Sequence, residues 1–178
     1  MNIKDVKQVD LACGTNKKEG FFGVDIDEYE GVDHVQDLRF TPLPFENKQL
    51  DHVYASHFLE HLTFEENIYL FNEVYRCLKV GGTFEIVTPH AMSYASDVDL
   101  SHKTRWTEDT FGYFSPDNKY FYSWFYEDPK TKERIPVINK WIVKSNDSTP
   151  PWKSVYTTEG WMIQDVKLRE IHAFLEKI

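Results

Sequence analysis

The chain of 178 residues contains only two cysteines, Cys13 and Cys77. Two are too few for the disulfide framework of a small secreted domain, so a reduced, cytoplasmic setting is expected. No apolar run approaches the roughly 18–20 residues that cross a bilayer, and no membrane partner is expected. The charged start Met1-Asn2-Ile3-Lys4-Asp5 has no apolar stretch behind it, so a secretory leader is not expected either. Basic residues are outnumbered, 20 against 29 acidic, and a formal charge of −9 repels phosphate backbones, which argues against nucleic acid as a ligand. There is also no internal repeat, no low-complexity tract and no linker between two composition regimes. What is present is 41% hydrophobic residues, enough for a core, and a high aromatic share of 16%, most of it past residue 105. One domain over 1–178 is expected, with residues 1–90 and 91–178 reading differently.

The first half alternates short apolar runs with turns. Strands are expected over 6–11, 21–25, 32–35, 50–55 and 83–88. Pro42 and Pro44 break regular structure between the third and fourth. Residues 64–78 place Phe64, Ile68, Phe71, Val74, Tyr75 and Leu78 at spacings of three and four, an amphipathic helix. Lys79-Val80-Gly81-Gly82 then suits a helix C-terminus. Strands separated by a helix predict an α/β domain with a mainly parallel, Rossmann-like sheet built around the first and fourth strands. Beyond residue 90, strands are expected over 119–127 and 137–143, and residues 165–178 read as a strand leading into a terminal helix.

In an open parallel sheet, ligands bind outside the carboxyl ends of the strands. Here those ends carry a series of chemical groups. The first runs into Asp10-Leu11-Ala12-Cys13-Gly14-Thr15-Asn16, a turn of small residues that lets a ligand approach the backbone. The second ends in Gly23-Val24-Asp25, whose carboxylate suits a ribose diol. The third is followed by Gln36-Asp37-Leu38, where a second acid suits an adenine amino group. The fourth ends in Ala55-Ser56-His57.

These segments, in this order, resemble the core motifs of the class I S-adenosylmethionine-dependent methyltransferases, in particular short bacterial members. Residues 10–16 are similar to the glycine-rich cofactor loop and 23–27 to the ribose-binding strand end. Asp37 with Pro42-Leu43-Pro44-Phe45 is similar to the adenine-side loop. Residues 50–62, with Ser56-His57-Phe58-Leu59-Glu60-His61, resemble the fourth motif. Residues 73–82 resemble the helix and turn that lead into strand five. The resemblance covers about half of the chain. It implies S-adenosyl-L-methionine as cofactor, held by Asp10, Ala12, Cys13, Gly14, Asn16, Asp25, Ile26, Asp37, Leu38, Ser56 and His57. A small-molecule acceptor, such as a sugar or metabolite hydroxyl, is expected with the acidic charge, and no metal is expected because the sulfonium is already a good leaving group. Two departures stand out. Only Gly14 of the usual three loop glycines is kept, and Asn16, which tolerates left-handed backbone angles, is expected to substitute for one. Only residues 12–21 and 26–31 separate the first three strands, where a parallel crossover needs a dozen or more. Helices on one face must therefore be shortened or missing. That face is expected to be covered by the aromatic second half or by a partner chain, which would make a homodimer.

Methyl transfer to a hydroxyl or ammonium needs a base. His57, at the fourth strand end, is favoured; His102, in a segment able to fold over the site, is second, and His90 lies on the same rim. Cys13 reads as a packing residue, and Glu60 and His61 as local hydrogen-bonding groups at the start of a helix. Two rival readings remain. One is a catalytically inactive cofactor-binding or interaction protein on the same fold, suggested by the depleted glycines and missing helices. The other is a zinc hydrolase, because His57-Phe58-Leu59-Glu60-His61 matches H-x-x-E-H, with Glu127 or Glu133 as third ligand.

Overall fold

A computed structural model describes residues 2–114, 125–127, 131–136, 141–149, 152–156, 162–167 and 170–177. Strands β1 (Gln8–Leu11), β2 (Phe22–Asp25), β3 (His34–Val35) and β4 (Leu50–Ser56) precede helix α1 (Phe64–Cys77) and the long strand β5 (Leu78–Pro89). Short helices α2 (Tyr94–Val98) and α3 (Glu108–Phe111) follow. Strands β6 (Phe125–Glu127), β7 (Arg134–Pro136), β8 (Trp141–Thr149), β9 (Trp152–Tyr156), β10 (Met162–Lys167) and β11 (Glu170–Lys177) complete the described elements. A seven-stranded sheet has the order β3-β2-β1-β4-β5-β11-β8. Its first five strands are parallel, while β11 runs antiparallel to both neighbours. The expected α/β, mainly parallel sheet is present, with β1 and β4 at its centre.

Register explains the core. Val9 and Leu11 lie beside Val53 and Ala55, which lie beside Phe84 and Ile86, all of them fully buried. Helix α1 packs on this face through Phe71, whose ring meets Phe84 at 5.3 Å and stacks on Phe114 at 3.8 Å. Trp106 and Phe111 stack beside them. Trp106, Phe111 and Phe114 therefore thicken the helix-covered face rather than the bared one, whereas Phe174 alternates with Ala173 and Leu175 and lies on the bared side beside Glu85. Tyr120, Phe121, Tyr122, Trp124 and Trp161 lie outside the described residues.

No helix joins β1 to β2, β2 to β3 or β3 to β4. Carboxylates hold the short connections instead. Asp10 accepts from Lys18 N at 2.7 Å, Asp25 from Gly14 N at 2.8 Å, and Asp33 from Gly23 N at 2.8 Å and Lys17 Nζ at 2.7 Å. On the face opposite α1, Lys18 crosses the Tyr54 ring at 3.9 Å to reach Glu85 at 2.7 Å. A long charged side chain spreads its stem where a helix would have packed.

Two expectations need correction. The last segment is strand β11 rather than a helix. Ile171, Ala173 and Leu175 are fully buried in strict alternation with His172, Phe174 and Glu176, so period two prevails over the three-and-four spacing. Helix α1 also ends without a glycine cap. Leu78 is already extended, and Lys79 to Gly82 belong to β5, where Gly81 takes φ +78° beside an irregularity in the β4–β5 pairing. The helix end is capped from far away. Lys177 Nζ donates to the carbonyls of Tyr75 at 2.7 Å and Leu78 at 2.9 Å. Lys177→Met, which keeps the stem but orphans both carbonyls, is expected to lower stability by about 1–3 kcal/mol, read from urea unfolding. Of the expected strands at 119–127 and 137–143, the parts 119–124 and 137–140 lie outside the described residues.

Candidate functional site

Three strand ends converge at the top of β1. The turn after β1 has two left-handed residues, Ala12 at φ +55° and Gly14 at φ +52°. Asn16 is not among them; its N–H closes a turn onto Cys13 O at 3.2 Å. The residue that bears the strained angle is thus Ala12, at a flanking position of the loop where glycine is usual, and Asn16 does not substitute for glycine as expected. Gly23 packs under this turn, where an added Cβ would lie 2.8 Å from Cys13 Sγ. The Asp25 carboxylate, 7% exposed, receives the Gly14 N–H on one oxygen and Asp27 N–H at 3.1 Å on the other. A carboxylate has about four acceptor sites, so two remain for a diol.

The loop after β3 is fixed by helix α1. Arg76 donates to the carbonyls of Phe45 at 2.9 Å and Leu43 at 3.1 Å while paired with Glu73, and Glu73 accepts from Leu43 N at 2.9 Å. Asp37 is gripped by Arg39 through two guanidinium contacts of 2.9 and 2.8 Å. Between this loop and the β1 turn lies a cleft of about 230 Å³. Ala12, Asp25, Ile26, Asp37 and Leu38, all singled out from the sequence, line it. So do Gln36, Arg39, Phe58, His61, Leu62 and Lys103, to which the sequence reading gave no cofactor role. Lys103 lies 65 residues past Leu38, and no motif signals it. Asp10, Cys13, Gly14, Asn16, Ser56 and His57 do not line this cleft; they frame the turn and the β4 end beside it. Asp10 is buried, which raises its pKa, against the lowering effect of the Lys18 N–H bond.

Cys13 is 8% exposed, and burial pushes its thiol up to about 11; Cys77 is pushed up to about 12 for the same reason. At pH 8 about one Cys13 in a thousand is then the reactive thiolate. Iodoacetamide is expected to label the native protein far more slowly than the urea-unfolded one, followed by mass spectrometry.

At the end of β4, His57 adopts φ +52° and its N–H bonds Val87 O at 2.8 Å. The half-exposed ring places Nδ1 3.4 Å from Glu60 Oε1 and Nε2 3.0 Å from Glu170 Oε1. The Glu60 contact is the main cause that raises the His57 pKa above its ordinary value, against burial and with help from Glu170. Leu59–His61 is a single 3-10 turn, not the start of an α-helix. His57 and His61 therefore do not share a helical face, which removes the geometry that the H-x-x-E-H reading assumed. The grouping that does form is Glu60, His61 and His102. Segment 99–105 folds against the β4 end, with Lys103 N and Thr104 N donating to Glu60 O at 2.7 and 3.1 Å. Glu60 thus bonds across the chain as well as locally. His90 is buried at 4% exposure, and its Nδ1 accepts from Met92 N at 2.9 Å, a structural use.

Residues 9–86 match the family model described as a methyltransferase domain. No curated protein matches the sequence. Among solved structures, the chain is similar to an S-adenosylmethionine-dependent methyltransferase from Archaeoglobus fulgidus, with 18% identity and a TM-score of 0.60 over 98% of this chain and 88% of that one. It is also similar to one from Mesorhizobium loti, with 14% identity and a TM-score of 0.53 over 99% and 93%. A third is a chain of the complex between the Haloferax volcanii Trm112 methyltransferase activator and a methyltransferase, with 16% identity and a TM-score of 0.60 over 97% and 83%. At these identities the structures speak for the fold, and the matched motifs from Val9 to Ile86 speak for the chemistry. The strand-end motifs stand in order within this matched stretch, a methyltransferase domain whose cofactor is S-adenosyl-L-methionine.

Proposed function

We propose that this methyltransferase methylates a hydroxyl of a small molecule, a sugar or another metabolite, rather than a nucleic acid. The observation that carries the reading is the Asp25 carboxylate, buried at the β2 end, tied to the Gly14 N–H and open toward a cleft it shares with Ala12 and Asp37. That arrangement fits the cofactor. Asp25 keeps two acceptor sites for the ribose diol, and Ala12 has no side chain long enough to block it. Ile26 and Leu38 offer apolar walls for a base, with the Arg39-bound Asp37 carboxylate beside them on the lining. A volume of about 230 Å³ is below the roughly 300–1,000 Å³ of a whole ligand site. The rest of the ligand then lies along the rim past Asp10, Cys13 and Ser56.

Bound S-adenosylmethionine supplies an already activated methyl group, so the chain's task is placement, exclusion of water and removal of one proton. His57 is the base. Its Nδ1 faces the buried Glu60 Oε1 at 3.4 Å, an approach too long to be a formed hydrogen bond. Nε2 faces Glu170 on the exposed rim and takes the acceptor's hydroxyl proton when Glu170 swings aside. His102 is a weaker base candidate, because its side chain is 9% exposed and its Nδ1 is held by the Ser96 carbonyl at 3.1 Å. Segment 91–178 brings Lys103 to the edge of the cofactor cleft.

The test is calorimetry with S-adenosylmethionine and S-adenosylhomocysteine, followed by detection of S-adenosylhomocysteine with a panel of hydroxyl acceptors. Binding and turnover support the reading. Binding without turnover on any acceptor would instead favour the inactive cofactor-binding protein, and no binding would remove both.

A further inference from the structure

We infer that Glu60, His61 and His102 form a site for one divalent transition-metal ion, with an open position beside the cleft. One carboxylate oxygen of Glu60 and one ring nitrogen from each histidine lie within 4.8 Å of one another. Bringing them to about 2.0–2.2 Å from a common ion needs inward side-chain shifts of roughly 1 Å.

Three independent features support the assignment. The first is an unsatisfied oxygen. Glu60 has a side chain 2% exposed; its Oε2 accepts from Thr88 Oγ1 at 3.0 Å, while Oε1 has no hydrogen-bond partner. The nearest cationic approach is His57 Nδ1 at 3.4 Å. A buried carboxylate oxygen left this way is costly unless a cation meets it.

The second is the tautomer of each histidine. His102 Nδ1 faces the Ser96 carbonyl, which can only accept, so Nδ1 carries the proton and Nε2 the lone pair. Ser101 Oγ donates to Asp99 Oδ1 at 2.6 Å, so it accepts from His61 Nδ1 at 2.9 Å. His61 Nε2 is therefore also left with its lone pair. Both rings are oriented by a hydrogen bond on the far nitrogen, the usual support for a metal-ligating imidazole.

The third is the chain geometry. Residues 60–61 and 99–102 come from separate segments. The hydrogen bonds from Lys103 N and Thr104 N to Glu60 O pin them together, and the two rings meet edge to face at 4.8 Å. Two imidazoles and a carboxylate select a transition metal such as Zn²⁺ over Mg²⁺ or Ca²⁺. Three protein ligands leave a coordination position open, as in catalytic rather than structural zinc sites. Because His61 also lines the cleft that takes the nucleoside, that position suits a ligand oxygen at the cleft's edge, a hydroxyl or carboxylate. This last step rests on the methyl-transfer reading; the metal site itself does not.

The full chain, stripped with EDTA and dialysed, is titrated with Co²⁺ under visible absorption, and Zn²⁺ content is measured by plasma mass spectrometry. One metal per chain is expected, with a Co²⁺ ligand-field spectrum abolished in His61→Gln and in His102→Gln. Ser101→Ala, at an exposed residue whose hydroxyl links His61 to Asp99, should weaken Zn²⁺ binding by about 10- to 100-fold. Circular dichroism checks that each variant folds. Acetohydroxamate, as an oxygen-donor probe, should shift the Co²⁺ bands; an unshifted spectrum would overturn the open position. No stoichiometric metal, or a spectrum indifferent to both histidine variants, would overturn the site. Calorimetry with S-adenosylhomocysteine on the metal-free protein separates the two readings. Cofactor binding without a metal site leaves methyl transfer standing alone, and a metal site without cofactor binding does the reverse.

Discussion

His57→Ala is expected to lower turnover by about 10²–10⁴-fold while leaving S-adenosylmethionine affinity within a few-fold of wild type. That range corresponds to about 2.7–5.5 kcal/mol of transition-state stabilisation. The asymmetry follows from position. His57 stands at the end of β4 outside the cleft that Asp25 and Asp37 line, so removing its ring takes no contact from a bound nucleoside. It does take away the group that receives the acceptor's proton. Two carboxylates frame the ring, the buried Glu60 at 3.4 Å and the exposed Glu170 at 3.0 Å. His57→Gln keeps a hydrogen-bonding side chain but cannot accept and release a proton at neutral pH, so it should fall nearly as far as the alanine variant. If a purely structural role were the whole story, His57→Gln would recover activity. The measurement is initial-rate production of S-adenosylhomocysteine, with calorimetry on the same samples. Unchanged turnover in both variants would take His57 out of the mechanism.

The parallel half of the fold was legible because its signals are local. Short apolar runs, an amphipathic stretch over 64–78 and acids at strand ends all act within a few residues, and the capping box of Thr63 and Glu66 that the sequence reading passed over is equally local. The missing helices could be read from chain length alone, since ten residues between β1 and β2 leave no room for one. The parts that misled depend on distant partners. Lys177 caps α1 from the opposite end of the chain, and nothing near Leu78 announces it. Strand β11 carries apolar residues that satisfy both periods, and only pairing with β5 and β8 decides between them. The site divides in the same way. Ala12, Asp25 and Asp37 are strand-end residues and could be found by position. His61 and Lys103 reach the cleft, and His102 reaches Glu60, through a fold-back of residues 99–105 that leaves no motif. The strained Ala12 shows the limit of reading residue types one by one. Asparagine tolerates a left-handed angle, yet the backbone requires that angle four residues earlier.

Asp25→Ala is expected to weaken S-adenosylhomocysteine binding by at least about 100-fold, because it removes two charge-assisted hydrogen bonds to the ribose, each of about 1.5–3 kcal/mol. The side chain also holds the protein's own turn. Without it, Gly14 N–H and Asp27 N–H lose their acceptor, and the left-handed bend at Ala12 and Gly14 is no longer tied to β2. Loss of affinity could then reflect a loosened turn rather than lost ribose contacts. Asp25→Asn separates them. Its side-chain oxygen can still take the Gly14 N–H, so the bend at Ala12 and Gly14 stays tied to β2, and only the exposed Asp27 N–H loses its acceptor; the melting temperature should fall far less than in Asp25→Ala. The amide presents only one acceptor oxygen, already committed to Gly14, while a diol brings two donors. A stable Asp25→Asn protein with a large loss of affinity is therefore the signature of direct sugar binding. Arg39→Ala serves as the counterpart on the adenine side. It releases Asp37 from its guanidinium clamp, 2.9 and 2.8 Å in length, and should alter affinity far less, since Asp37 itself remains. Should Asp25→Asn bind S-adenosylhomocysteine as tightly as wild type, the carboxylate belongs to the turn alone and the nucleoside must be held elsewhere.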